Sequence, residues 1–157
     1  MAKSVTQNQK VVMIIQPQAI ADNGSWVGSL DSTPVTIDTA GWNELTIYVA
    51  VGATDIAMAN LEVHSSDEAD ANFTAVDGLD WGTDSTIPSA DDDDTVHAAF
   101  IELDGKAKRY YRLEADAGNG SSGTYAVAWA VLSRPTEAPN SAAERGLTTE
   151  LFLPAAS

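Results

Sequence analysis

Alternation of apolar and polar positions with period two is the strongest pattern in this chain. It is clearest in residues 45–51, where aliphatic side chains occupy the odd positions and Thr, Tyr and Ala the even ones. Residues 61–65 and 111–115 repeat the same phase. Successive side chains of a strand point to opposite sides of its sheet, so the odd positions of these segments are predicted to face a core.

Residues 125–131 alternate as well, with Tyr125, Val127, Trp129 and Val131 at the odd positions and alanine at the even ones. We predict that the odd positions are buried here too. The second face of this strand carries only alanine, so it could also be covered, by a neighbouring element or by another subunit.

Further strand candidates are residues 11–15, 35–37 and 96–103, with weaker ones at 26–27 and 73–76. Turn sequences separate the segments: Asp22-Asn23-Gly24, Thr39-Ala40-Gly41, Asp77-Gly78, Asp104-Gly105 and Asn119-Gly120. About eight or nine short strands without long helices favour two packed antiparallel sheets. The predicted fold is all-β, an antiparallel β-sandwich or jelly roll over residues 11–133, with an extended N-terminal arm (1–10) and a C-terminal tail (134–157).

Charge excludes several partners. The 157 residues include 23 acidic and 8 basic side chains, for a net charge of −15. Such a surface repels phosphate backbones and anionic lipid, so neither direct nucleic-acid binding nor membrane association is predicted. No apolar run approaches the roughly 20 residues that span a bilayer. The chain also lacks cysteine, which excludes disulfides, thiolate metal sites and thiol nucleophiles.

No residue pattern predicts catalysis. His64 and His97 lie in predicted strands without a serine in a nucleophile-elbow setting, and we interpret them as surface or packing residues. Residues 118–123 match the spacing G-x-G-x-x-G, but a strand follows where a dinucleotide site needs a helix. We therefore predict a hairpin loop there, with the positive φ angles at Asn119-Gly120. Paired carboxylates remain open, because the acidic residues allow many pairs; an enzyme is not predicted.

Acidic residues cluster between two of the predicted strands. Their oxygens are the ligands that calcium prefers, but the ordered spacing of an EF-hand is missing, and a solvated loop is the alternative. No cofactor is predicted beyond this weak calcium candidate. The residues concerned are Asp77, Asp80, Asp84, Asp91, Asp92, Asp93 and Asp94.

Two segments are candidates for contact with other molecules. A basic cluster could meet an acidic loop of another subunit, or it could be a charged hairpin that protects a sheet edge. An apolar stretch on the polar C-terminal tail could dock on a neighbour, or it could fold back or stay loose. The candidates are Lys106, Lys108, Arg109 and Arg112 in the cluster, and Leu151, Phe152 and Leu153 in the tail.

Tryptophans supply a different interpretation. If Trp26, Trp42 and Trp81 are exposed, they could stack on sugar rings, as in a carbohydrate-binding or receptor-adhesion module. Such residues are more often core or interface anchors.

The strand sequences between Trp42 and Pro135 resemble those of small jelly-roll virion proteins of tailed bacteriophages. The resemblance lies in residues 42–49, 61–67, 73–78 and 108–113 and in the alanine-rich strand that ends at Arg134-Pro135. It is a pattern of strands without an invariant chemical signature. It implies a capsid decoration or cement protein, made in the host cytoplasm. Such a protein binds the major capsid protein as a homotrimer on the outer capsid surface, at three-fold and quasi-three-fold positions, and stabilises contacts between capsomers.

Overall fold

A computed structural model describes residues 8–20, 25–26, 34–105, 107–139 and 141–151. The side chains of Ile20, Ser25 and Trp26 are outside this description. The described residues form nine strands: β1 (Lys10–Ile20), β2 (Ser25–Trp26), β3 (Ile37–Asp38), β4 (Trp42–Thr54), β5 (Asn60–Ser66), β6 (Thr74–Asp80), β7 (Thr95–Glu102), β8 (Tyr110–Asp116) and β9 (Thr124–Pro135).

The strands form two antiparallel sheets. The first sheet has the order β1-β9-β4-β7, and the second has the order β2-β8-β5-β6, with β3 also paired to β8. The pairing is nested along the chain: the first strand pairs with the last, β2 and β3 pair with β8, β4 pairs with β7, and β5 pairs with β6. This arrangement is a jelly roll, and it confirms the predicted fold class.

Nested pairing makes most connections pass from one sheet to the other. The predicted hairpin at residues 118–123 is therefore wrong, because β8 and β9 lie in different sheets. Its positive φ angles are at Gly118 and Gly123, at 81° and 72°, and not at Asn119-Gly120. The predicted turn at Asp77-Gly78 lies inside β6, where the pairing with β5 is interrupted between two registers.

The core lies between the sheets and contains the side chains predicted from β4, β5 and β8. Ile47 and Leu61 are fully buried, and Leu113 is 1% exposed. The odd positions of residues 45–51, 61–63 and 111–115 form one cluster with Ile14, Ile15 and Ile37. The alternation of residues 45–51, 61–65 and 111–115 was therefore interpreted correctly.

The prediction for β9 was wrong, because its alanines face the core and its larger side chains face outward. Ala126, Ala128 and Ala130 are at most 1% exposed. Ala128 lies opposite Ile15 on β1 and Val49 on β4, whose larger side chains occupy the space beside it. The two sheets of a sandwich pack about 10 Å apart. An alanine methyl group fits the space that its large neighbours leave between the sheets, whereas an indole ring would not.

After β9 the described part of the tail folds back on the sandwich. The backbone N–H of Val11 donates to the carbonyl of Arg145 at 2.8 Å. Arg145 is buried, with its side chain 6% exposed, and forms an ion pair with Glu150. Leu151 is fully exposed, and Phe152 and Leu153 are outside the described residues. The described chain has no helix long and apolar enough to cross a bilayer.

Candidate interaction surface

A row of apolar and aromatic side chains crosses the outer face of the first sheet. Met13, Trp129, Tyr48 and Ala98 are register partners on β1, β9, β4 and β7. The rings of Tyr48 and Trp129 stack, with centroids 5.4 Å apart and an interplanar angle of 18°. Such an aromatic pair on adjacent strands stabilises their pairing and also presents a flat apolar surface.

The neighbouring rows have the same character. They consist of Val11, Val131, Thr46 and Phe100 on one side, and of Val127, Ala50 and Val96 on the other. Apart from the Thr46 and Tyr48 hydroxyls, the indole N–H and the Met13 thioether, these rows present only hydrocarbon. We call these three rows, with Tyr125 beyond them, the apolar face.

Four side chains of the apolar face are open to solvent, while the stacked Tyr48 and Trp129 are half-buried. Phe100 is 73% exposed, Val96 62%, Met13 50% and Tyr125 47%. In the part of the chain that the structure describes, the other exposed large apolar side chains are Ile56 and Leu151. Strand and residue spacings give this face an area of roughly 300 Å². The largest apolar patch of a typical soluble monomer covers about 300–600 Å² and is often functional, so this face is the candidate interaction site.

Carboxylates flank the apolar face at both ends. Glu44 on β4 lies opposite Glu102 on β7, directly beyond the row of Phe100. At the other end, residues 91–94 immediately precede the strand that carries Val96. Arg134 donates to Glu44 at 2.9 Å, and this contact lowers the pKa of the Glu44 carboxyl. Glu102, Glu44 and residues 91–94 form what we call the acidic rim.

Between the end of β6 and the start of β7, aspartates among the calcium candidates accept hydrogen bonds from nearby backbone N–H groups. Asp80 accepts from Gly82 N–H and Asp92 from Ser89 N–H, at 2.7 and 2.8 Å. Hydrogen bonds from Thr83 and from Ser89, respectively, lower the pKa values of these two aspartates. In the described ranges, the calcium candidates do not gather into a group of three ligands. Such a group forms elsewhere, from Glu62, His64 and Glu114.

The glycine-rich loop closes around a single carboxylate. Asp55, just after β4, accepts the N–H of Ser122 at 2.7 Å and also that of Ser121. These bonds hold the pKa of Asp55 below its usual value, the Ser122 bond most strongly. A Cβ on Gly120 would collide with the same carboxylate. This loop therefore binds a carboxylate of its own chain. The close approach of that carboxylate explains the glycine at position 120, and no bound nucleotide is needed to explain it.

The basic cluster is largely engaged within the chain. Arg109 forms an ion pair with Asp38 at 2.7 Å, which lowers the pKa of the Asp38 carboxyl. The Arg112 guanidinium lies 3.9 Å from the centre of the Phe73 ring. Lys108 is half-buried, and Lys106 is outside the described residues. The hairpin alternative for this segment is wrong, because β7 and β8 belong to different sheets. Contact with a partner stays a prediction.

The exposed aromatics are not those chosen from the sequence. Trp81 is 7% exposed and belongs to the core, and Trp42 is half-buried against it. The Trp26 side chain lies outside the described residues. The aromatic surface instead comes from Phe100, Tyr125 and the Tyr48–Trp129 pair. The signal in the sequence that could have identified this surface is a strand that is apolar on both faces, as residues 125–131 are.

The fold and this surface define a class: a jelly-roll β-sandwich with one open apolar sheet face between acidic ends. Comparison of the chain with protein-family models, with curated proteins and with solved structures gave no match in any of the three.

Proposed function

We propose that this chain is a virion structural protein that decorates the outer surface of a phage capsid and stabilises contacts between capsomers. The observation that carries the proposal is the apolar face, on a chain with a net charge of −15. A strongly charged protein does not need rows of exposed hydrocarbon for solubility, so a docking role accounts for them. The resemblance of residues 42–135 to phage decoration proteins supplies the identity of the partner.

Charge favours a partner other than a second copy. The four arginines are engaged within the chain: Arg109 with Asp38, Arg134 with Glu44, Arg145 with Glu150, and Arg112 with Phe73. A second copy that docked through the same face would bring one acidic rim against another, with all four arginines already engaged. The complementary partner has an apolar centre bordered by basic residues. We propose that the major capsid protein provides it.

Size suggests how such a contact would become stable. A stable protein interface buries about 800 Å² on each partner, which is more than the roughly 300 Å² of the apolar face. The acidic rim and the tail residues Leu151, Phe152 and Leu153 would extend the contact. A homotrimer at three-fold and quasi-three-fold positions would multiply it, since linked weak contacts add through effective concentration.

A carbohydrate-binding module is the second candidate. The observation that favours it is the gathering of Tyr48, Phe100, Tyr125 and Trp129 on one open face, because aromatic rings stack on sugars. Sugar recognition also needs polar groups that fix the hydroxyls, and the three rows offer few. Protein contact is therefore the better match.

The test uses capsids of a phage that encodes this chain, prepared with the gene deleted. The purified protein should co-sediment with them. Phe100→Glu should weaken this binding by more than about 10-fold, because it places a charge at the most exposed aromatic side chain of the apolar face. Thr74→Glu is the matched control: it adds the same charge to an exposed position of β6 in the second sheet, and should bind like wild type.

Light scattering on the same samples measures the molar mass, and a trimer is expected. If wild-type protein does not co-sediment with the capsids, the decoration role is rejected. Glycan-array binding that Phe100→Glu abolishes and Thr74→Glu preserves would establish the second candidate in its place.

A further inference from the structure

A second cluster lies on the outer face of the second sheet, away from the apolar face. Glu62 and His64 are two positions apart on β5, so both side chains point to the same side. Glu114 is the register partner of Glu62 on β8. One ligand atom from each of these three residues lies within 4.8 Å of the others. Two ligands from alternate positions of a strand and a third from its neighbour make a compact metal-binding arrangement.

The imidazole of His64 has no hydrogen-bond partner. Nε2 lies 2.9 Å from a Glu62 oxygen and Nδ1 3.4 Å from a Glu114 oxygen, but neither approach has hydrogen-bonding geometry. Both nitrogens are buried, and the whole side chain is 13% exposed. Buried polar atoms are nearly always satisfied, so two unsatisfied nitrogens on one ring require an explanation.

The two carboxylates of the cluster also require an explanation. Glu62 and Glu114 face each other across adjacent strands, and like charges in directly opposite positions destabilise a sheet. The nearest arginine does not relieve them: Arg112 donates to the Thr36 hydroxyl at 2.9 Å and to the Ala69 carbonyl at 3.2 Å, and its guanidinium lies over Phe73. A cation between the two carboxylates and the imidazole would satisfy all three groups.

We propose that Glu62, His64 and Glu114 bind a divalent transition metal of the zinc class. One imidazole nitrogen and two carboxylates are ligands that zinc accepts, whereas calcium prefers oxygen alone. The Asn60 amide donates to Glu62 at 2.9 Å and so fixes the orientation of that ligand. Glu114 is 32% exposed, which leaves the fourth position to water. The ion would tie β5 to β8.

The experiment is a calorimetric titration of chelator-treated full chain with zinc. One ion per chain is expected, with a rise in the thermal unfolding temperature. His64→Gln should weaken binding by more than about 100-fold and Glu114→Gln by at least about 10-fold, since even outer partners of a ligand contribute 10- to 100-fold. His97→Gln is the matched control: this histidine lies on β7 and contacts the Thr95 hydroxyl at 3.0 Å.

Cobalt(II) gives an independent readout, because a tetrahedral site with a histidine ligand absorbs visible light strongly. That absorption should be present in wild type and in His97→Gln and absent in His64→Gln. Circular dichroism of the metal-free variants shows that each is folded. Equal zinc affinity of wild type and His64→Gln, or no zinc binding by folded wild type, would overturn the proposal, and so would a site that takes calcium and refuses zinc.

Discussion

The two sheets share one core, yet their outer faces have opposite chemistry. On the first sheet, Tyr48, Trp129 and Phe100 present rings and hydrocarbon to solvent. On the second, Glu62 and Glu114 occupy the equivalent outward positions. Antiparallel sheets with one solvated face usually carry polar side chains on it, and of the two sheets only the second follows that rule. An outer face that breaks it is where a partner should be sought.

The largest expected contrast lies within the first sheet. Ile47→Ala, on the inner face of β4, should lower the free energy of unfolding by about 2–5 kcal/mol, because it leaves a cavity in the core. Phe100→Ala removes a larger side chain from the outer face, but it should change the free energy of unfolding by no more than about 0.5 kcal/mol. Urea unfolding of the isolated protein measures both.

A cost for Phe100→Ala as large as that of Ile47→Ala would break the comparison. It would mean that the apolar face is covered in the isolated protein. A dependence of that cost on protein concentration would then identify a second copy as the cover.

A smaller contrast tests the direction in which β9 faces. Ala130→Leu should destabilise the fold by about 1–3 kcal/mol, because the larger side chain has no space between the sheets. Val131→Leu, the next residue on the opposite face, should lie within about 0.5 kcal/mol of wild type. Thermal unfolding of the two variants measures both effects. If Val131→Leu destabilises the fold more than Ala130→Leu does, the faces of β9 are reversed.

The smallest effect separates carboxylates that serve the fold from those of the acidic rim. Asp55→Asn should lower stability at pH 7, because the charged form of Asp55 accepts the Ser121 and Ser122 N–H groups. Its pKa in the folded chain is below the ordinary 3.8, so this stabilisation is present above that value and is lost as pH falls through the folded pKa. The difference between wild type and variant in the urea midpoint should therefore be smaller at about pH 3 than at pH 7.

Asp91→Asn is the control for this comparison, because Asp91 is an exposed member of the acidic rim. It should match wild type at both pH values. A loss at pH 7 equal to that of Asp55→Asn would assign the rim a structural role as well.

Local alternation was sufficient to predict the sandwich, because β4, β5 and β8 each have one clearly apolar face. It failed for β9, where both faces are apolar and the choice between Trp129 and Ala130 depends on the space left by Ile15, Val49 and the opposite sheet. The glycine-rich loop was interpreted as a hairpin for a similar reason. Its turn residues are visible in the sequence, but the sheet that receives the next strand is not.

The candidate sites depend on register in the same way. Glu62 and His64 are visibly on one side of a strand, yet Glu114 joins them only through the pairing of β5 with β8. The apolar face likewise unites positions from four strands that are distant in sequence. Sequence alone could therefore identify individual residues of each cluster, but not that these residues lie together in the fold.

The pairing of the first strand with the last also orders events during synthesis. Lys10 leaves the ribosome well before its register partner Leu132, which belongs to β9. Until then the backbone groups of β1 that bond to β9 have no partner, and β4 also lacks one of its two neighbours. Contacts of such high sequence separation form slowly, so the sandwich should assemble as a whole once β9 has been synthesised, rather than strand by strand.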